Sequence, residues 1–200
     1  MEAFFHGVIL AFGLILPLGV QNIFVFSQGA TQPQLMKAFP ASITAALCDT
    51  LLIVLAVFGL SLIVLQFEWL RLLLMVGGII FLLYMGYTIW RSNPSSVVNS
   101  EALPVKKQIV FALSVSLLNP HAILDTIGVI GTSALKYSGI EQLLFTIACI
   151  WISWGWFFGL AIAGASLKKL DGTGKLMNMF NKCSALFIWA TAFYLMIGLT

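Results

Sequence analysis

The chain has 200 residues, of which 60% are hydrophobic and 8% are charged, and its mean hydropathy is +1.04. This composition excludes an ordinary soluble domain and indicates an integral membrane protein built mainly of helices. The net charge of +3 does not indicate a nucleic-acid partner, because the basic residues lie at the ends of apolar segments and form no patch. No cofactor, metal-ligand or ATP-binding motif stands out, so we expect neither cofactor nor metal.

Six apolar segments are long enough to cross a bilayer as helices. They are Ala3–Ser27, Phe39–Leu65, Trp69–Trp90, Ile109–Leu135, Leu143–Leu167 and Leu176–Leu199. A polar linker at 92–107 divides this single transmembrane domain, 1–200, into a first repeat at 1–91 and a second at 108–200. Because each half has three spans, the second half must run in the opposite direction. The predicted fold is therefore all-α, with six transmembrane helices in two inverted three-helix repeats.

The distribution of Lys and Arg predicts the orientation in the membrane. The links after spans one, three and five carry most of these residues, namely Lys37, Arg91, Lys106, Lys107, Lys168, Lys169, Lys175 and Lys182. The opposite side carries only Arg71 and Lys136. We therefore expect the basic links to face the cytoplasm and both termini to lie outside.

Prolines in the middle of the first and fourth spans predict two interrupted helices. Pro17 and Pro120 each lack a backbone N–H and clash with the preceding turn, so the helix must bend or break there. Irregular backbone at membrane depth is tolerated only inside the protein or beside a wet cavity. Paired interruptions of this kind surround the substrate in inverted-repeat transporters. We expect the two breaks to face each other near the centre of the membrane.

Polar side chains accompany both interruptions. Gly19 loosens the first break, and Gln21 and Asn22 follow it with amide donors and acceptors. Asn119 lies next to the second break. A kinked helix whose amides join neighbouring spans would explain these residues structurally. Because the pattern recurs in both spans, we favour substrate binding by all four residues.

Two acids lie inside the predicted spans, Asp49 in the second and Asp125 in the fourth. An unpaired carboxylate there costs about 2.5–3.5 kcal/mol on insertion scales. No Lys or Arg lies inside a span core, but His121 precedes Asp125 by four residues and shares its helix face. A structural His–Asp pair together with a protonated Asp49 is one interpretation. We favour the other, in which Asp49 and Asp125 bind a substrate cation or a proton and His121 assists proton coupling.

Small residues recur in the fifth span at Gly155, Gly159 and Ala163. This spacing lets two helices approach closely. It indicates close packing, either within the monomer or between the subunits of a homo-oligomer.

Four segments together carry a resemblance to a known family. They are LPLGVQNIFVFSQG at Leu16–Gly29, the span around Asp49, LNPHAILD at Leu118–Asp125 and WFFGLA at Trp156–Ala161. In matching order over nearly the whole chain, these segments resemble the LysE/ArgO family of amino-acid exporters. The resemblance implies a transporter of the bacterial cytoplasmic membrane that exports lysine or arginine, with no enzymatic activity. It also implies that the acids bind substrate or protons.

The predicted function is therefore export of basic amino acids by proton antiport. A cation that leaves an inside-negative cell moves against about 2.3 kcal/mol per charge per 100 mV. Inward proton movement can drive this step without a nucleotide site. One alternative is an exporter of neutral amino acids or divalent metal ions. Another is a membrane scaffold that transports nothing and whose buried polar groups only specify packing.

Overall fold

The computed structural model describes residues 1–16, 19–58, 68–91, 102–170 and 175–197. Regular structure in these residues is entirely helical. The helices are α1 (Glu2–Ile15), α2 (Val20–Thr31), α3 (Phe39–Val57), α4 (Glu68–Arg91), α5 (Val105–Leu117), α6 (Pro120–Asp125), α7 (Thr132–Ala134), α8 (Ile140–Leu170) and α9 (Lys175–Ile197). A 3-10 turn (Leu35–Ala38) precedes α3, and a π-helical turn (Thr126–Gly131) joins α6 to α7. Pro17 and most of the predicted linker at 92–107 lie outside the described residues.

The described helices include segments that fit a membrane. Leu35–Val57 and Ile140–Lys169 are each long and apolar enough to cross a bilayer. The pair α1 and α2, bent by 80°, passes the same test as one broken span. The prediction of an all-α membrane protein is confirmed at this level. The division into six spans and the inverted repeat stay predictions.

Both predicted helix interruptions have a counterpart in the structure. At the first, α1 ends at Ile15 and α2 begins at Val20, with Gly19 in extended conformation as its N-cap (φ −68°, ψ 169°). At the second, Asn119 is extended (φ −87°, ψ 100°) and Pro120 is the first residue of α6. Proline is well tolerated at this position, because the first N–H group of a helix has no partner within the helix. The π-helical turn follows at once, a geometry frequently found at functional sites.

Each broken helix packs against a helix from the other half of the chain. α1 and α2 lie against α8, while α5 and the π-helical turn lie against α3. α3 also contacts α8, and α4 contacts α9. The two halves are therefore interleaved, and the helix breaks are enclosed by α3 and α8.

Glycines let α2 and α8 approach each other closely. A Cβ on Gly29 would clash with the carbonyl oxygen of Ala161, and one on Gly164 would clash with that of Phe26. The small residues singled out in the sequence are not part of this contact. Gly155, Gly159 and Ala163 are exposed, so packing within the monomer was the wrong interpretation of their spacing. A homo-oligomer stays a prediction.

Hydrogen bonds join three links at one end of the bundle. Gln32 Nε2 donates to the carbonyl oxygen of Leu103 at 3.0 Å. Gln108 Nε2 donates to the carbonyl oxygen of Lys37 at 3.0 Å, and Lys168 Nζ donates to that of Gln32 at 2.8 Å. The links after spans one, three and five thus meet at the same end, which we call the basic end. That the basic end faces the cytoplasm stays a prediction.

Candidate substrate-binding site

A cavity of about 300 Å³ lies between the two helix breaks. All six residues predicted to bind substrate line it, namely Gly19, Gln21, Asn22, Asp49, Asn119 and Asp125. Its volume is at the lower end of the range for small-molecule pockets, which suits a ligand the size of one amino acid. The structure therefore brings the predicted residues together, while their role in binding stays a prediction.

Helices from both halves of the chain hold the Asp49 side chain. Ser153 Oγ on α8 donates a hydrogen bond to Asp49 Oδ2 at 2.8 Å. The Gln21 side chain on α2 also interacts with this carboxylate, and its Nε2 donates to the carbonyl oxygen of Ala45 at 3.4 Å. Asp49 is half-buried and remains open to the cavity. It can therefore face a ligand while its position is fixed by three helices.

Asp125 reaches the same cavity from the second break. It is the last residue of α6, it is half-buried, and Thr126 beside it also lines the cavity. Among the described residues that line the cavity there is no Lys or Arg, so a cationic ligand would meet no basic side chain from this part of the chain. The side chains of Pro120 and His121 lie outside the described part of the structure. A pairing of His121 with Asp125 thus stays a prediction.

The Asn22 side chain joins the two helices that flank the first break. Its Nδ2 donates a hydrogen bond to the carbonyl oxygen of Ile15 at 2.8 Å. Ile15 is the last residue of α1, and carbonyl groups at a helix end have no partner within the helix. The Asn22 side chain supplies that partner and so links α2 to α1 across the bend.

Asn119 has a different environment at the second break. Its side chain is 6% exposed, and its Oδ1 atom accepts no hydrogen bond from the described residues. A Cβ built on Gly19 would lie 4.0 Å from Asn119 Nδ2, so the two breaks face each other across the cavity. A buried acceptor without a partner costs about 1–3 kcal/mol. A ligand with an N–H group would supply the missing donor.

Sequence reasoning missed the hydroxyl groups of the cavity. Ser153, Thr126 and Thr191 line it together with the ring of Phe157. A single serine or threonine in an apolar helix usually bonds to its own backbone, so no sequence signal separates these residues from others. Within the described residues, no group of three or more His, Cys, Asp or Glu side chains could hold a metal ion.

Comparison with known proteins agrees with the resemblance seen in the sequence. Residues 12–199 match the family model of the LysE type translocator. The chain is 56% identical over 200 residues to YisU of Bacillus subtilis (strain 168), a candidate amino-acid transporter. The alignment covers 100% of this chain and 91% of YisU. It is 36% identical over 198 residues to the arginine exporter protein ArgO of Salmonella paratyphi B and of Salmonella typhi, covering 96% of this chain and 92% of each relative. No solved structure matches the chain. The chain therefore belongs to the LysE-type translocators, which are transporters of the bacterial inner membrane and not enzymes.

Proposed function

We propose that the protein exports arginine or lysine from the cytoplasm in exchange for protons. The observation that carries this proposal is that Asp49 and Asp125 line one cavity, with no Lys or Arg among its described lining residues. Carboxylates at membrane depth are costly and usually mark ion or proton pathways. A substrate with a cationic side chain neutralises the charge of these carboxylates when it binds. A proton neutralises it after the substrate has left.

The remaining groups of the cavity suit the other end of an amino acid. The N-terminus of α2 lines the cavity and has no side-chain cap, so its free N–H groups and helix dipole favour the α-carboxylate. The Oδ1 of Asn119, which has no partner among the described residues, can accept a hydrogen bond from the α-ammonium group. Gln21 and Asn22 lie in the first turn of α2 and complete this polar wall. The side-chain cation of the substrate then faces Asp49 or Asp125.

Exchange with protons accounts for the energy of export. One proton that enters for each cation that leaves is electrically neutral and uses the pH gradient alone. With a second proton the exchange would move net charge inward, and the membrane potential would add about 2.3 kcal/mol per charge per 100 mV to the driving force. In either case the acids alternate between substrate and proton, with His121 as a candidate to assist.

An inverted repeat belongs to this proposal. α1 and α2 pack on α8, and α5 and the π-helical turn pack on α3. Such a pairing is what two inverted halves produce, and it supports movement of one half against the other around a fixed site. With the basic end on the cytoplasmic side, both termini lie outside.

The alternative functions explain the cavity less well. A neutral amino acid would leave the acids facing an uncharged side chain. A scaffold protein would have no reason to keep the buried Asn119 Oδ1 without a partner, as it is among the described residues. The identity of 36% to arginine exporter proteins also favours a basic substrate.

Proteoliposomes loaded with arginine and a pH-sensitive dye test the proposal. We expect arginine efflux together with proton influx, and a loss of at least tenfold in rate for Asp49→Asn and Asp125→Asn. Removing a buried charge that meets a ligand charge costs about 2–5 kcal/mol, and 1.4 kcal/mol is tenfold. Glu141→Gln is the matched control, because Glu141 is an exposed acid in the first turn of α8 and does not line the cavity.

Two results would contradict the proposal. Arginine efflux that ignores an imposed pH gradient and brings no protons inward excludes antiport. Normal transport by both Asn variants, with unchanged thermal stability, excludes a role for the two acids.

A further inference from the structure

Buried polar side chains continue from the cavity towards the basic end without lining the cavity itself. They are Gln28, Gln32, Ser42, Gln108 and Ser116, and each is at most 4% exposed. We call these five residues the polar seam. They belong to α2 and its C-cap, to α3 and to α5, and these three helices all contact one another. Buried polar side chains are normally hydrogen-bonded, so the partners of these five residues need to be accounted for.

The polar seam follows the same helix faces as the cavity residues. On α2, Gln28 lies seven residues after Gln21, and on α3, Ser42 lies seven residues before Asp49. Seven residues are two helical turns, so the members of each pair share a face. The third stripe, from the cavity to the basic end, is Asn119, Ser116 and Gln108. Three polar stripes thus run side by side from the cavity to the basic end.

The polar seam is incompletely hydrogen-bonded. Ser42 Oγ and Gln108 Oε1 are buried and have no hydrogen-bond partner among the described residues, and Ser116 Oγ is buried with no nitrogen or oxygen partner among them. The neighbour of Ser116 is the thiol of Cys48, which is a weak partner at best. Polar residues that only join helices are normally paired with each other or with backbone groups. Ser184 Oγ, away from the stripes, also lacks a partner among the described residues, so a missing partner is not sufficient by itself. Because Ser42, Ser116 and Gln108 also lie in the stripes that lead to the cavity, we infer a second arrangement of the helices in which water or substrate reaches them.

Two barriers close the polar seam in this structure. Phe24 on α2 and Phe111 on α5 stack with ring centroids 4.3 Å apart. Nearer the basic end, the carbonyl oxygen of Leu103 accepts hydrogen bonds from Gln32 Nε2 at 3.0 Å and from Gln108 Nε2 at 2.9 Å. A ring pair and a pair of amide hydrogen bonds can both open without breaking the helices that carry them.

We propose that the polar seam is the route along which substrate passes between the basic end and the cavity, and that it is closed here. The inference rests on the proposed function, because it takes the basic end as the cytoplasmic one. Neutral hydroxyl and amide groups can replace water around the charged groups of an amino acid. Since they carry no charge, they do not hold the substrate as the acids do, which a transit route requires.

Thiol labelling from the basic end tests the route. Ser42→Cys and Ser116→Cys are made singly in a protein whose native cysteines have been replaced, and inside-out vesicles are treated with a hydrophilic, membrane-impermeant thiol reagent. Ser184→Cys is the matched control, because Ser184 on α9 is 2% exposed and its Oγ is also unpartnered among the described residues. We expect both seam cysteines to react at least tenfold faster than the control, and saturating arginine to slow the reaction.

The outcomes separate the route from the proposed function. Arginine transport by variants whose seam cysteines react no faster than Ser184→Cys overturns the route and leaves the function standing. If the seam cysteines are labelled fast, arginine does not slow the labelling and the protein does not transport arginine, the route is supported. The proposal of a basic substrate is then wrong. If Ser116→Cys does not fold, Gln28→Cys gives the same test from α2.

Discussion

The two helix breaks face the same cavity but are held in different ways. At the first break, Asn22 Nδ2 donates to the carbonyl oxygen of Ile15, so the side chain ties α2 to α1. At the second break, Asn119 is as deeply buried, yet its Oδ1 has no partner among the described residues. Asparagine beside a helix break can therefore maintain the break or offer an acceptor to a ligand. We infer that Asn22 maintains the break as well as lining the cavity, whereas Asn119 offers its acceptor to the ligand.

Asn119→Ala gives the largest expected difference between the breaks. We expect the affinity for arginine to fall by about 10- to 150-fold, because the loss of one hydrogen bond to a charged group costs about 1.5–3 kcal/mol. The free energy of unfolding should stay the same or rise slightly, since the variant removes a buried acceptor that has no partner among the described residues. Calorimetric titration with arginine and thermal unfolding in detergent measure the two quantities. A less stable variant that binds arginine normally would reverse the assignment.

Asn22→Ala should have the opposite profile and a smaller effect. It removes the hydrogen bond to the Ile15 carbonyl oxygen, so the free energy of unfolding should fall by about 1 kcal/mol. The affinity for arginine should change less than it does in Asn119→Ala. The same two measurements apply, with Asn119→Ala as the comparison. Equal losses of affinity in both variants would show that the breaks do not differ in function.

Gly19→Ala has the smallest expected effect. Its φ of −68° suits any residue, and the new Cβ would make only an ordinary contact, 4.0 Å from Asn119 Nδ2. We expect the free energy of unfolding to change by less than about 0.5 kcal/mol. Gly29→Ala is the control, because its Cβ would clash with the backbone of Ala161 and should cost about 1–3 kcal/mol. A Gly19→Ala loss as large as that of Gly29→Ala would show that the first break does need glycine.

The position of the cavity could be predicted from the sequence because its signals are rare. A proline in an apolar span has few structural solutions, and Pro120 does open a new helix after a break. Carboxylates within apolar spans are costly, so Asp49 and Asp125 could be expected to face inward. Both signals, the proline and the carboxylates, can be recognised from the neighbouring residues and from the apolar environment of the membrane.

Other features depend on contacts between distant parts of the chain. The hydrogen bond from Ser153 to Asp49 joins residues 104 positions apart, and nothing local distinguishes this serine. The roles that we infer for Asn22 and Asn119 differ because Asn22 meets the carbonyl group of Ile15, whereas Asn119 Oδ1 has no partner among the described residues. Small residues occupy several faces of α8, so their spacing alone could not show that Gly164 is in contact while Gly155 is exposed.

The length of α8 ties the protein to its lipid. Its 31 residues extend over about 46 Å at 1.5 Å per residue, whereas the hydrocarbon core of a bilayer is about 30 Å thick. The helix must tilt, or its ends must project from the membrane. Because α1, α2 and α3 all pack on α8, a change in its tilt alters their spacing around the cavity. The rate of transport should therefore depend on the acyl-chain length of the surrounding phospholipids, with an optimum at one membrane thickness.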